Sequence, residues 1–117
     1  MPRLQGFKHD ALVKELAKQL RSLGMQVEVE PSRGRSVDLV AFKAGEAPIL
    51  VEVKARGVSA MDVARLAEAA EGTGLKEARL YVVAPGPISR GALTLASELG
   101  VRLVNSVEDL VKDLKGG

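Results

Sequence analysis

The 117-residue chain contains no cysteine and no tryptophan. Without thiols there is no disulfide framework and no thiolate zinc site. Aromatic side chains are confined to Phe7, Phe42 and Tyr81. That scarcity disfavours a protein that binds single strands by stacking bases on aromatic platforms. No apolar run approaches the roughly 20 residues that a helix needs to cross a bilayer. The opening Met1-Pro2-Arg3-Leu4 lacks the apolar region of a signal peptide. A cytoplasmic protein without membrane association is the expectation. Net charge is also small, at +2 from 17 basic and 15 acidic residues. Such a balance permits nucleic-acid binding without requiring it. Any such binding would rest on phosphate contacts and duplex shape.

What is present is a globular pattern, with 46% hydrophobic residues and no linker, low-complexity segment or sequence repeat. One domain over residues 1–117 is expected. Leu12, Val13, Leu16, Leu20 and Leu23 recur at helical spacing over 7–23, and Gly24 supplies a stop. Gln26 to Glu30 alternates as a half-exposed strand ended by Pro31. Residues 37–43 and 48–55 read as two apolar strands joined by a turn at Gly45. Ser59 caps a helix with Val63, Leu66, Ala67 and Ala70 on one face. Leu80 to Ala84 is a continuous apolar strand. Ser89 then caps a helix whose apolar face is Leu93, Ala96 and Leu99. Val101 to Val104 is a short strand, and Ser106 caps a last helix bearing Leu110, Val111 and Leu114. The expected fold is α/β, a mixed sheet flanked by helices in the order α-β-β-β-α-β-α-β-α.

Three charged residues interrupt the apolar strands: Asp38, Glu52 and Lys54. Charge is costly to bury there without a partner. Residues i and i+2 share a strand face, so Glu52 and Lys54 project together while Val51 and Val53 face the other way. If the two strands pair, Asp38 reaches the same spot. An acid-x-lysine alone carries little information, and each residue taken singly reads as a surface charge or a turn residue. Together, one hairpin apart and after a helix, they form a place where a divalent cation can sit beside a phosphate.

At these residues the chain resembles the PD-(D/E)xK nucleases of the restriction-endonuclease-like fold. Asp38, Glu52 and Lys54 fall on the three motif positions. The stretch from Leu80 to Leu114 is similar to the catalytic domain of Mrr-like restriction endonucleases. The first half, with Pro31-Ser32-Arg33-Gly34, is similar to archaeal Holliday junction resolvases. Two positions depart from the family pattern. Val37 stands in place of the motif proline, and Val13 stands where many members carry a first-helix glutamate. Asp10, one turn earlier on the same face, is the better substitute for that acid; Glu15 lies toward the opposite edge. His9 shares the face of Val13 and is expected to be partly buried and hydrogen-bonded.

The resemblance implies a metal-dependent DNA endonuclease acting in restriction or DNA repair, with Mg²⁺ or Mn²⁺. Its substrate would be double-stranded or branched DNA. Asp38 and Glu52 supply two anionic oxygens, the Val53 carbonyl offers a third, and Asp10 is a further candidate ligand. Lys54 would orient the attacking water or offset phosphate charge. Arg33 and Arg35, with Ser32 before them and Arg56 after Lys54, are the candidate phosphate contacts. Cutting both strands of a symmetric substrate needs two centres, so a homodimer is expected. The alternatives are a Holliday junction resolvase, and a catalytically inactive DNA-binding or assembly protein that keeps the fold. The missing first-helix acid favours the inactive form.

Overall fold

The computed structural model describes residues 2–29, 37–75 and 77–116, with side chains from Lys8 onward. The elements follow the expected order: α1 (Pro2–Ser22), β1 (Gln26–Val29), β2 (Leu39–Phe42), β3 (Ile49–Val53), α2 (Ala60–Gly72), β4 (Arg79–Val83), α3 (Arg90–Leu99), β5 (Val101–Val104) and α4 (Val107–Gly116). The helix ends are set by local chemistry. The side chain of Asp62 and the backbone of Ser59 form part of a capping box at α2. Ser89 Oγ accepts from Ala92 N–H at 3.1 Å at the start of α3. Gly100, at φ 72°, closes α3 in the left-handed region that other residues rarely occupy.

The five strands form one sheet in the order β1-β2-β3-β4-β5. β1, β2 and β3 pair antiparallel as a meander, while β3, β4 and β5 pair parallel. The parallel half fixes the layers. Both crossovers, through α2 and α3, step in the same direction along the sheet. Right-handed crossovers therefore place both helices on one face. The other face is left to α1 and α4, giving three layers.

Alternation along each strand feeds the two cores. Leu39, Ala41, Ile49, Val51, Val53, Tyr81 and Val83 pack against Val13, Leu16, Ala17 and Leu20 of α1 and Val107 and Leu110 of α4. Val40, Leu50, Leu80 and Val82 pack on the opposite face against Val63, Leu66, Ala69 and Ala70 of α2 and Ala92 and Ala96 of α3. One expectation fails here. The buried face of α3 is Ala92 and Ala96, whereas Leu93 is 53% exposed and Leu99 43%. Small residues meet where α3 starts beside α2: a Cβ at Gly91 would lie 3.5 Å from that of Ala60, an ordinary contact distance. Leu95, the third leucine of the helix, packs partly against the same core.

The two βα units, β3–α2 and β4–α3, also repeat each other thirty residues apart. Glu52 lies opposite Val82 and Val53 opposite Val83. Val58 and Ile88 form a parallel bridge just before the two capping serines. The shared feature is backbone geometry, with the charged pair of one unit replaced by Val82 and Ala84 in the other. Identity is too low for the repeat to be visible in the sequence.

Candidate functional site

The start of β2, the ends of β3 and β4 and the N-termini of α2 and α3 meet at one end of the sheet. Antiparallel pairing brings Asp38 there. Its backbone N–H donates to Val51 O at 2.9 Å. Its side-chain Oδ2 accepts from Val53 N–H at 2.7 Å. The carboxylate thus takes the place of the next ladder acceptor along β2. In a strand the N–H and C=O of one residue point to the same edge, so the Val53 carbonyl lies on the Asp38 side.

Glu52 is the sole buried charged or polar residue among those described, at 9% exposure. Its Oε1 is buried without a hydrogen-bond partner. Burial pushes its carboxyl up to about 7, and the nearby Asp38 charge pushes the same way. Lys54 and Arg65 oppose that rise, and Asp62 adds to it. An unpartnered buried carboxylate oxygen of this kind costs free energy unless a proton or a cation satisfies it.

Lys54 leaves the end of β3, where its backbone N–H donates to Val83 O at 2.9 Å. Its Nζ lies 3.3 Å from Asp62 Oδ1 in the first turn of α2. Asp62 stands three residues after Ser59, the spacing of a capping acid; the ion pair joins residues on two separate elements and leaves no local signal. The backbone beneath is held by the neighbouring unit. Val58 N–H donates to Pro87 O and Ser89 N–H to Val58 O, each at 3.0 Å. A Cβ at Gly86 would come within 2.9 Å of Arg56 O, so only glycine fits there. Arg56 itself is solvent-exposed on this loop.

The first helix contributes His9. Its Nε2 lies 3.1 Å from Asp38 Oδ1 and its Nδ1 3.1 Å from Asp10 Oδ1. Partial burial works to lower the pKa of the imidazole, but Asp10 and Asp38 together outweigh it and hold the value above the ordinary one. Asp10 is thus linked to Asp38 through His9, which contacts both carboxylates. Its side chain is 77% exposed, and it stands behind the histidine. Of the described α1 side chains, it is His9 that contacts the Asp38 carboxylate. Glu15 accepts from Gln19 at 2.8 Å beside the α1–α4 groove. Ser32, Arg33 and Arg35 lie outside the described residues.

The donor set suits a hard cation. Asp38 and Glu52 offer carboxylate oxygens, one of them an orphan, with a backbone carbonyl adjacent. Among the described residues no three acidic or imidazole side chains converge on one point. A bound cation would then keep several waters, as Mg²⁺ ordinarily does.

No protein-family model matches the chain, and no curated protein matches it. Solved structures do. EndoMS in complex with dsDNA aligns at TM-score 0.62 and 20% identity, over 80% of this chain and 42% of that one. A repair endonuclease from Pyrococcus abyssi aligns at TM-score 0.59 and 21% identity, over 81% of this chain and 45% of that one. AF1548, a protein of unknown function, aligns at TM-score 0.58 and 18% identity, over 89% of this chain and 65% of that one. The chain thus spans less than two thirds of each of these structures. At these identities the likeness is one of fold.

Proposed function

We propose that this chain is a metal-dependent DNA endonuclease unit of the PD-(D/E)xK kind, with Asp38, Glu52 and Lys54 as its centre. The observation that carries the reading is the meeting of Asp38 with Glu52, whose Oε1 is buried without a partner. Likeness in fold to EndoMS and to a repair endonuclease supports it. Asp38 and Glu52 would hold Mg²⁺ or Mn²⁺, with the Val53 carbonyl as a third oxygen. Such a cation, when bound, lowers the pKa of a coordinated water and stabilises charge on the phosphate and the leaving oxygen.

The chain's own residues supply the rest. Val53 N–H fixes the Asp38 carboxylate, so the acid is aimed before any ligand arrives. Glu52 sits in a dry environment where its interaction with a cation is strong. Lys54 directs an ammonium at the phosphate oxygens, where negative charge grows in the transition state. Arg33, Arg35 and Arg56, with Ser32, would grip the flanking phosphates of double-stranded or branched DNA. His9 occupies Asp38 Oδ1, and must yield that oxygen or share it when a cation binds. A homodimer would give one centre for each strand. The same centre would serve either an Mrr-like or a junction-resolving activity.

The test is cleavage of duplex, single-stranded, flap and four-way-junction DNA with Mg²⁺, Mn²⁺ or EDTA. Asp38→Ala, Glu52→Ala and Lys54→Ala should each abolish the metal-dependent cutting while the domain stays folded. Their losses should not add, because the three act as one unit. Wild-type rates in two of the three folded variants would reject the centre.

A further inference from the structure

Asp62 lies outside the acid, acid and lysine set, yet two elements meet at its carboxylate. Oδ2 accepts from Ser59 N–H at 2.9 Å and from Ser59 Oγ–H at 3.1 Å, which fixes it over the first turn of α2. Oδ1 faces the other way, 3.3 Å from Lys54 Nζ. Capping α2 needs only the Ser59 bonds. The contact with Lys54 is additional to capping. The Asp62 side chain is 13% exposed and that of Lys54 35%, so the better-buried partner anchors the freer one.

The geometry around the pair is stiff. The Lys54 backbone is bonded to β4 through Val83, and the loop to Ser59 is bridged to the neighbouring loop at Val58 and Ile88. A lysine ammonium on a flexible four-carbon stem otherwise samples many rotamers. Here its stem starts at a fixed point and its end meets a fixed carboxylate. Lys54 follows Glu52 by two along the strand and so shares its face, which holds the ammonium beside the candidate cation site.

We infer that Asp62 is a positioning residue: it holds the Lys54 ammonium beside Glu52, in the orientation from which it meets the phosphate of bound DNA. This rests on the endonuclease reading above. Asp62 itself touches neither DNA nor cation. Its contribution is to remove the rotamer search of Lys54, and misplacement of a reacting group by about 1 Å costs on the order of 100-fold in rate.

Three substitutions separate positioning from capping. Asp62→Asn keeps an acceptor for Ser59 N–H and removes the charge. Asp62→Glu keeps the charge and is itself a common capping-box residue. Ser89→Ala removes the equivalent cap on α3 without touching Lys54. The readouts are the ¹⁵N signal of the Lys54 ammonium in metal-free protein, the single-turnover cleavage rate with Mg²⁺, the DNA dissociation constant and the melting temperature. The wild type should show an ordered, slowly exchanging Lys54 signal, and Asp62→Asn should lose it. Asp62→Asn should cut about 10- to 100-fold more slowly, with DNA affinity within about two-fold. Asp62→Glu should restore most of the rate. Ser89→Ala should melt a few degrees lower and cut at the wild-type rate. The inference is overturned if the Lys54 signal is the same in Asp62→Asn as in the wild type. It is overturned equally if Asp62→Glu cuts no faster than Asp62→Asn. A wild type that cuts no DNA under any metal rejects the endonuclease reading instead, and the Lys54 signal alone then decides the clamp.

Discussion

Glu52 carries the largest electrostatic cost at the site, and that cost has a measurable sign. Its carboxyl holds a proton up to about 7 when folded, against an ordinary 4.5, through burial first and the Asp38 charge second. Between those values the native state binds more protons than the unfolded chain. Stability therefore falls as pH rises through that window and levels off above it. In EDTA the wild type should lose on the order of 2–3 kcal/mol between about pH 5 and pH 8. Glu52→Gln, neutral and nearly isosteric, should not show that loss and should be the more stable protein at the alkaline end. His9 has a raised value as well, so its contribution falls in the same direction; the difference between the two proteins isolates Glu52. Urea unfolding at four pH values checks this. Parallel curves for wild type and Glu52→Gln would mean that Glu52 is already ionised in the folded protein. The identity of this residue was legible because a charge inside an apolar strand is anomalous at the level of composition. Asp62 and His9 carried no such anomaly. One sits where a capping acid belongs and the other on an ordinary helix face, and only the packing of α1 and α2 against the strand ends brings them to Asp38 and Lys54.

At the scale of elements, helix starts and stops follow from capping residues, but the buried face of a helix follows from what it packs on. This is why α3 begins at Ser89 as its sequence indicates, yet buries Ala92 and Ala96, packs Leu95 partly against the core and leaves Leu93 and Leu99 exposed. The opposite helix layer is tied down differently. Tyr81 of β4 donates its hydroxyl to Asp113 of α4, and Arg102 of β5 meets the same carboxylate at 2.9 Å. One carboxylate on α4 thus joins two strands. Burial and the bond to Asp113 push the Tyr81 hydroxyl up to about 12, so it stays a donor across the working pH range. Tyr81→Phe leaves Asp113 its arginine, and so should cost only about 0.5–1.5 kcal/mol. Asp113→Ala strands the buried tyrosine hydroxyl and should cost more. Guanidinium unfolding of both checks the order. Equal midpoints for the two variants would show that Arg102 adds nothing to the bond from Tyr81. None of this network was read from the sequence, because its three members are separated by at least eleven residues and each is ordinary where it stands.

The whole molecule offers DNA little except charge at chosen places. The net charge is +2 and aromatic residues make up 3%, so neither a global field nor base stacking can dominate affinity. Binding would then come from a few arginines, and its salt dependence counts them. Each phosphate neutralised contributes about −0.9 to the slope of log affinity against log salt on duplex DNA. Arg33, Arg35 and Arg56 of one copy together predict a slope of about −3, and two copies bound as a dimer about −5. Anisotropy titrations of a labelled duplex from low to moderate KCl, in Ca²⁺ to block hydrolysis, give the number directly. Arg35→Ala should flatten the slope by about one unit for a single copy and about two for a dimer, with sequence preference unchanged. The same substitution thus reports both the role of Arg35 and the number of chains on the DNA. An Arg35→Ala protein with the wild-type slope would remove Arg35 from the DNA interface, and with it the dimer estimate built on that count.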